Sequence, residues 1–400
     1  MSHPRRRGSA GRASLGTLLR HVHLHGPLSR AALARLMGVD RSTILTLTAE
    51  LAAAGLVRQE HPIGTTGVGR PSLVVRPESE RVYVLAFDVS ADRLVAARVA
   101  LGGPIMDRRT ATRPPAGAGF DDEVGVLAGF GRDLHAAAPA NSVCVGTGVS
   151  YSGTISPGDG KVRYRPEMGW VDQAFGTDLQ RALDIGHPVA VGNDAHVGAM
   201  AEYQRGAGAG APNLIYLHGD IGVSGGILVG GELLGDEGGY GCKIGHMLVN
   251  PYDGRHCRCG ARGCLEAETG QSALLAAAGR SDEQFGRDTV RAIVRDARAG
   301  NEAAAAALSE IGGWLGIGVA NLVNIIDPAV VIFGGTLREV YAAAAPQVAA
   351  RIAQHTMPTT RNRPRLLLSG LADDTTLVGA AELGFAALLA DPLQHTAHAV

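Results

Sequence analysis

Apolar residues recur at helical spacing from Ala13 to His25, at Leu15, Leu18, Leu19 and Val22. Gly26-Pro27 stops that run. Ser29 is a good N-cap for a short helix through Ala32, Leu33 and Leu36, and Gly38 supplies a turn. Asp40 then caps a second short helix carrying Ile44, Leu47 and Leu51 to about Ala54, with Gly55 as its C-cap. Leu56-Val57-Arg58 and Leu73-Val74-Val75 flank a glycine-rich tip (Gly64, Gly67, Gly69), which predicts a two-stranded wing.

Beyond residue 80 the pattern changes. Apolar strands are predicted at Val82–Phe87, Leu94–Ala100, Ser142–Val149, Val189–Val191, Leu214–Leu217 and Ala329–Phe333. Helical stretches are predicted at Asp121–Ala137, Ala199–Arg205, Glu302–Ile326, 338–354 and 377–390. Strands that alternate with helices and end in Gly or Asp indicate α/β layers with a ligand cleft at the strand ends.

Charge separates the two regions. Of the 400 residues, the first 80 hold eleven Arg, no Lys and five acids, a net +6, while the remainder carries −7. A small basic head on an acidic body fits a head that meets a polyanion; a solvated basic arm is the bland alternative. Two short helices joined by a Gly turn match helix-turn-helix geometry. Arg41, Ser42, Thr43 and Thr46 occupy the part of the second helix that reaches base edges, and Arg70 near the wing tip suits a phosphate or minor-groove contact. The expected partner is double-stranded DNA; a small helical domain that docks protein is the competing reading.

Hydrophobic residues make up 46% of the chain, enough for real cores. No run of 18 apolar residues occurs, and no continuous apolar stretch follows Arg5-Arg6-Arg7, so neither a membrane span nor a secretory signal is expected and the location is read as cytoplasmic. Three of five cysteines fall within eight positions. With His246 upstream, Cys257, Cys259 and Cys264 form a set of three thiols and one imidazole that satisfies tetrahedral zinc. Four protein ligands imply one structural ion. Cys144 and Cys242 read as small core residues.

The order of Gly192-Asn193-Asp194-Ala195, Gly219–Gly226, Ile244-Gly245-His246, Cys257-x-Cys259-Gly260-x-x-Gly263-Cys264-Leu265-Glu266 and Val331-Ile332-Phe333-Gly334-Gly335 resembles the ROK family, which groups sugar kinases with sugar-responsive repressors. The motif from His246 to Glu266 is the specific part. The resemblance implies an actin-like, two-lobed α/β body with ribonuclease H-like lobes, a sugar in the cleft, zinc beside it, and a homodimer or homotetramer. The winged head is what the repressor branch carries. On that reading residues 1–78 form the DNA-binding domain with a basic arm, 81–390 the sugar-sensing body with its zinc motif at 246–264, and 391–400 a flexible tail. The family would assign Asp194 as the base toward a sugar hydroxyl, and Asn193, His246 and Glu266 as sugar partners.

Departures from the kinase pattern decide the expected activity. Kinases of the family carry Asp-x-Gly-Gly-Thr where this chain has Asp88-Val89-Ser90-Ala91-Asp92, and Gly-Thr-Gly where it has Gly219-Asp220-Ile221-Gly222. The loops at 88–92 and 219–226 thus gain Cβ atoms and two carboxylates where backbone N–H groups would approach a triphosphate. No nucleotide is expected, and Asp194 is read as a vestigial base kept as a sugar ligand. Lys243 stands where the family has Glu, and Glu167 where it has Asn. An amino sugar facing Glu167 and an acidic or phosphorylated sugar facing Lys243 both remain open. The reading is a sugar-responsive transcriptional regulator, a repressor of carbohydrate-utilisation genes; the alternative is an ATP-dependent hexose kinase with an accessory DNA-binding head.

Overall fold

The computed structural model describes residues 9–61, 72–113, 119–165, 168–235, 241–281, 285–357 and 364–394. The arm at Arg5–Arg7, the wing tip with Arg70, Glu167 and the last residues of the tail lie outside them.

The head contains α1 (Ser9–His25), β1 (Leu28–Ser29), α2 (Arg30–Met37), α3 (Arg41–Ala53), β2 (Val57–Glu60) and β3 (Val74–Pro77). Both expected caps are present: the Ser29 side chain accepts from the Ala32 N–H, and Asp40 from the Thr43 N–H. β2 and β3 pair antiparallel as the two sides of the wing, and β1 adds a third, very short strand on β3.

The first lobe contains β4 (Val82–Val89), β5 (Arg93–Ala100), β6 (Ile105–Thr112), α4 (Phe120–Ala136) and β7 (Val143–Tyr151). A small antiparallel sheet follows, β8 (Thr154–Ser156), β9 (Lys161–Arg165) and β10 (Trp170–Gln173), and then α5 (Phe175–Leu183), β11 (Val189–Asn193) and α6 (Asp194–Arg205). The second lobe contains β12 (Leu214–Gly219), β13 (Val223–Val229), β14 (Glu232–Leu233), α7 (Leu265–Thr269), α8 (Gln271–Ala277), α9 (Arg287–Arg298), α10 (Glu302–Ile326), β15 (Val330–Gly335), α11 (Thr336–His355), β16 (Arg365–Leu368) and α12 (Thr375–Ala390).

The two main sheets repeat one topology. In the first the order is β11-β7-β4-β5-β6, and in the second β14-β13-β12-β15-β16. Each has an antiparallel meander of three strands extended by two parallel strands beside its first. This duplication is the two-lobed, actin-like body that the motifs implied. It makes the β4–β5 turn (88–92) and the β12–β13 turn (219–223) counterparts, facing one another from the two lobes.

The helices cross over between lobes. α6, which leaves the first sheet, packs on β12 and β13, while α12, which follows the second sheet, packs on β4 and β7. The crossing is close: a Cβ at Gly148 on β7 would overlap the Ala380 carbonyl oxygen of α12. Head and body also share one core. Leu15, Leu18, Leu19, Ile44, Leu47 and Leu51 belong to the same buried cluster as Val84, Ala86, Phe385 and Leu389. α10 is long and apolar enough to cross a membrane by length and composition, and 56% of that stretch is buried inside the protein, against α11 and the neighbouring helices.

One expectation changes. Cys242 is not a core residue: it is half-buried, has a φ of 51° and lines the interlobe cleft. The sequence pattern predicted no element for Ile105–Thr112, Thr154–Ser156, Lys161–Arg165 and Trp170–Gln173, which are strands.

Candidate functional site

Three places carry the chemistry. The first is a cleft between the lobes lined by Gly153, Thr154 and Tyr164 of the first lobe, Asn193 and Asp194 at the β11–α6 junction, and Gly222–Gly225, Lys243–His246, Arg258, Cys259 and Glu266 of the second. The fold thus brings together five sequence-predicted sugar residues: Asn193, Asp194, Lys243, His246 and Glu266. Asn193 does two jobs. Its Oδ1 caps α6 by accepting from the Ala195 and His196 N–H groups at 3.1 and 3.2 Å, and its Nδ2 donates to the Gly153 carbonyl at 2.9 Å. Asp194 accepts from Ser224 Oγ at 3.2 Å, and its Oδ2 lies 3.9 Å from His218 Nε2. Glu266 accepts from the Val223 N–H at 3.2 Å, which ties the start of α7 to the β12–β13 turn. These oxygens and amides can exchange donors and acceptors with a polyol.

Beside that cleft sits the second place. The ligand atoms of His246, Cys257, Cys259 and Cys264 all lie within 4.8 Å of one another. Cys257 Sγ is 3.6 Å from His246 Nδ1, and the Cys259 and Cys264 sulfurs are 3.7 Å apart. Tetrahedral zinc with Zn–S bonds of about 2.3 Å spaces sulfurs by roughly 3.8 Å, so the donor set fits that ion in number, type and spacing. Burial pushes the Cys264 thiol up to about 12, and burial also raises Cys257. A cation among them is what would favour their thiolate forms.

The third place is where the two counterpart turns meet. There the Ala91 N–H donates to Asp220 Oδ2 at 2.8 Å. A carboxylate of the second lobe thus takes a backbone donor of the first, the kind of donor a phosphate loop offers its nucleotide. Arg287, at the first position of α9, places a cation beside these turns. Its N–H donates to Asp92 Oδ2 at 3.0 Å; its guanidinium lies 3.4 Å from Asp373 Oδ1, 3.5 Å from Ser90 Oγ and 3.9 Å from Asp92 Oδ1. Burial disfavours the Arg287 charge, but Asp88, Asp220, Asp92 and Asp373 outweigh it and raise its pKa. Asp220 is pushed up to about 6 by burial, against the opposing pull of His218 and Arg287. The two carboxylates expected at these loops are therefore present: Asp220 crosses to the first lobe through the Ala91 N–H, and Asp92 crosses to the second through Arg287, a cation the sequence did not flag. No local motif marks Arg287; a Gly-Arg-Asp at a helix start reads as an ordinary terminus.

On the head, Arg41, Ser42 and Thr46 are exposed and Thr43 is half-buried, while Ile44, Leu47 and Leu51 face inward. Asp40 accepts from Ser42 Oγ at 2.6 Å and Thr43 Oγ1 at 3.1 Å, which fixes those hydroxyls at the start of α3. Leu45, which the sequence reading passed over, is 50% exposed between them.

Relatives agree with this layout. The chain is 24% identical to the xylose repressor of Bacillus subtilis (strain 168), with 92% of this chain and 93% of that one covered. It is 25% identical to a glucokinase of Halalkalibacterium halodurans, over 76% of this chain and 95% of that one. Among solved structures, a ROK family transcriptional regulator, a homologue of the E. coli MLC protein, superposes with a TM-score of 0.78 at 22% identity, covering 98% of this chain and 100% of that one. The ROK family profile matches residues 133–386, and this chain belongs to the ROK family.

Proposed function

We propose that the protein is a sugar-responsive, DNA-binding transcriptional repressor of carbohydrate-utilisation genes, acting in the cytoplasm as a homodimer or homotetramer. The observation that carries this reading is the meeting of the two counterpart turns through Asp220 and Arg287, at the edge of an open cleft that gathers Asn193, Asp194, His246 and Glu266. Phosphoryl transfer depends on positioned phosphates and charge stabilisation, and here four carboxylates converge where a triphosphate would lie.

In this reading α3 enters the major groove of an operator, with Arg41, Ser42, Thr43 and Thr46 toward the bases and Arg70 of the wing on the backbone. A dimer presents two heads to a pseudo-palindromic site. Asn193, Asp194, Glu266 and Glu167 serve the sugar hydroxyls, and His246 offers one nitrogen to the sugar and Nδ1 to the ion. His246, Cys257, Cys259 and Cys264 would hold a structural zinc, which would cross-link the 246–264 segment. Lys243 and Arg258 line the cleft beside Asp194, Asp220 and Glu266, so an amino sugar and a sugar acid or phosphorylated sugar are both candidate effectors. The effector shifts DNA affinity only as far as its own affinity differs between two body conformations.

Selection of genomic fragments by the protein, with and without D-xylose, D-glucose, D-glucuronate and D-glucose 6-phosphate, tests this. Enrichment of a palindromic site that one of these sugars alters is expected, and that sugar should raise the melting temperature. The alternative is a hexose kinase with an accessory head, favoured by the glucokinase relatives and by Asp194 in the cleft. Robust ATP-dependent turnover of any of these sugars would establish it instead.

A further inference from the structure

We infer that the sugar cleft and the DNA-binding head are joined through α6, with Arg205, Glu382 and His23 as positioning residues at the joint. This rests on the regulator reading above. α6 begins at Asn193-Asp194 in the cleft and ends at Arg205, a span of about 18 Å for its twelve residues. At that far end Arg205 Nε donates to Glu382 Oε1 on α12 at 2.6 Å, Nη1 to the Gly102 carbonyl at 3.2 Å, and Nη2 to the carbonyl of His23 on α1 at 3.1 Å. One guanidinium therefore holds the head helix, the β5–β6 turn and α12 together.

His23 completes the joint from the head side. Its Nδ1 lies 2.9 Å from the Gly102 backbone N–H, which can only donate, so Nδ1 accepts and the ring proton sits on Nε2. Nε2–H then donates to Glu382, 3.1 Å from either oxygen. His23 is fully buried, and the side chains of Arg205 and Glu382 are 13% and 9% exposed. Burial pushes the Glu382 carboxyl up, but His23 and Arg205 outweigh it and hold it below its usual range. Apolar replacement of a buried ion pair is often neutral or stabilising, so stability alone is a weak reason for this triad. What it specifies is position.

The elements on either side leave little slack. One turn before Arg205, Glu202 accepts from Ser369 Oγ, the Gly370 and Leu371 N–H groups and Thr375 Oγ1 at 2.7–3.1 Å, which fastens α6 to the start of α12. α1 lies on the other end of α12 so closely that a Cβ at Gly16 would overlap the Leu389 carbonyl oxygen. Leu15, Leu18 and Leu19 of α1 share their core with Leu47 and Leu51 of α3. A tilt of α6 as the cleft closes on a sugar is thus passed to α12 and α1, and α1 carries α3.

The test uses the tightest fragment selected from genomic DNA, its affinity read by fluorescence anisotropy with and without the four sugars named above. In the wild type the responsive sugar changes fragment affinity by a factor of order 5–150. In Glu382→Gln and Arg205→Met that factor is expected to fall to within about twofold of unity, while the sugar's own Kd and the sugar-free fragment affinity each stay within about threefold of the wild type. An unchanged factor in both variants overturns the inference, as does a parallel loss of sugar and fragment binding with the factor intact, the mark of a merely structural role. Hydrogen exchange on the wild-type protein decides the matter where the variants fail to fold or no sugar binds. Coupling is reciprocal, so the fragment must alter exchange in α6 and at 102–103; protection confined to the head overturns the joint. Failure of all four sugars to bind refutes the sugar reading separately.

Discussion

Replacing Arg287 by Met removes a buried cation from among four carboxylates and keeps the volume of the stem. The main-chain bond from residue 287 to Asp92 survives, so the change is one of charge. At an effective dielectric of about 20, the attractions to Asp373 at 3.4 Å and Asp92 at 3.9 Å come to about 4–5 kcal/mol each. Desolvation of a guanidinium with 11% exposure cancels much of that. Stranding the acids should leave a net loss of about 3–5 kcal/mol at neutral pH, measured from urea midpoints. The loss must depend on pH. Asp220 already has its folded pKa raised to about 6, above the unfolded value of 3.8, and loss of the Arg287 charge that pulls it down raises it further. An acid with a raised folded pKa destabilises while ionised and ceases to do so once protonated. The gap between wild type and variant is therefore full above the variant's raised Asp220 pKa and narrows as pH falls from there toward about 6, where Asp220 takes its proton in the wild type too. A variant within about 1 kcal/mol of wild type at neutral pH, with a flat profile into mild acid, would refute the idea that Arg287 neutralises this space.

Other outcomes follow from single side chains. Cys259→Ser should carry less than one zinc per chain by elemental analysis and lose the sugar-induced thermal shift together with it; an intact shift in metal-free protein would contradict the metal's structural role. Gly148→Ala should cost about 1–3 kcal/mol of stability, read as a lower urea midpoint, because the new methyl meets the backbone carbonyl of Ala380 and not a side chain that can move aside; an unaltered midpoint would mean α12 is not seated so tightly. Arg41→Ala should weaken operator binding by about 1–3 kcal/mol and relax preference at one base position, whereas Arg70→Ala should reduce the salt slope by about one. Gel shifts unmoved by either change would remove α3 and the wing from the groove.

Local signals were readable in the chain wherever their partners lie close in sequence. Ser29 and Asp40 announced two helix starts because a cap acts on N–H groups three residues away. The candidate metal set was legible because its four residues fall within nineteen positions and three thiols with an imidazole at that spacing suit one tetrahedral ion. Continuous apolar runs, buried on both faces, located most of the sheet strands, but β6, with one face toward solvent and charges at Asp107, Arg108 and Arg109, lacks such a run. The carboxylates at Asp92 and Asp220 were visible too, and the loss of phosphate-loop glycines with them. What no local reading supplied is the company they keep. Arg287 stands 195 residues from Asp92, and His23 meets Glu382 across 359. Only the closing of two repeated lobes, and the crossing of α6 and α12 between them, puts such groups into one water-poor space where a charge must find its opposite. Spacing along the chain dictates hydrogen bonds within a turn; long-range pairing of charges is settled by which surfaces the packed core leaves facing each other.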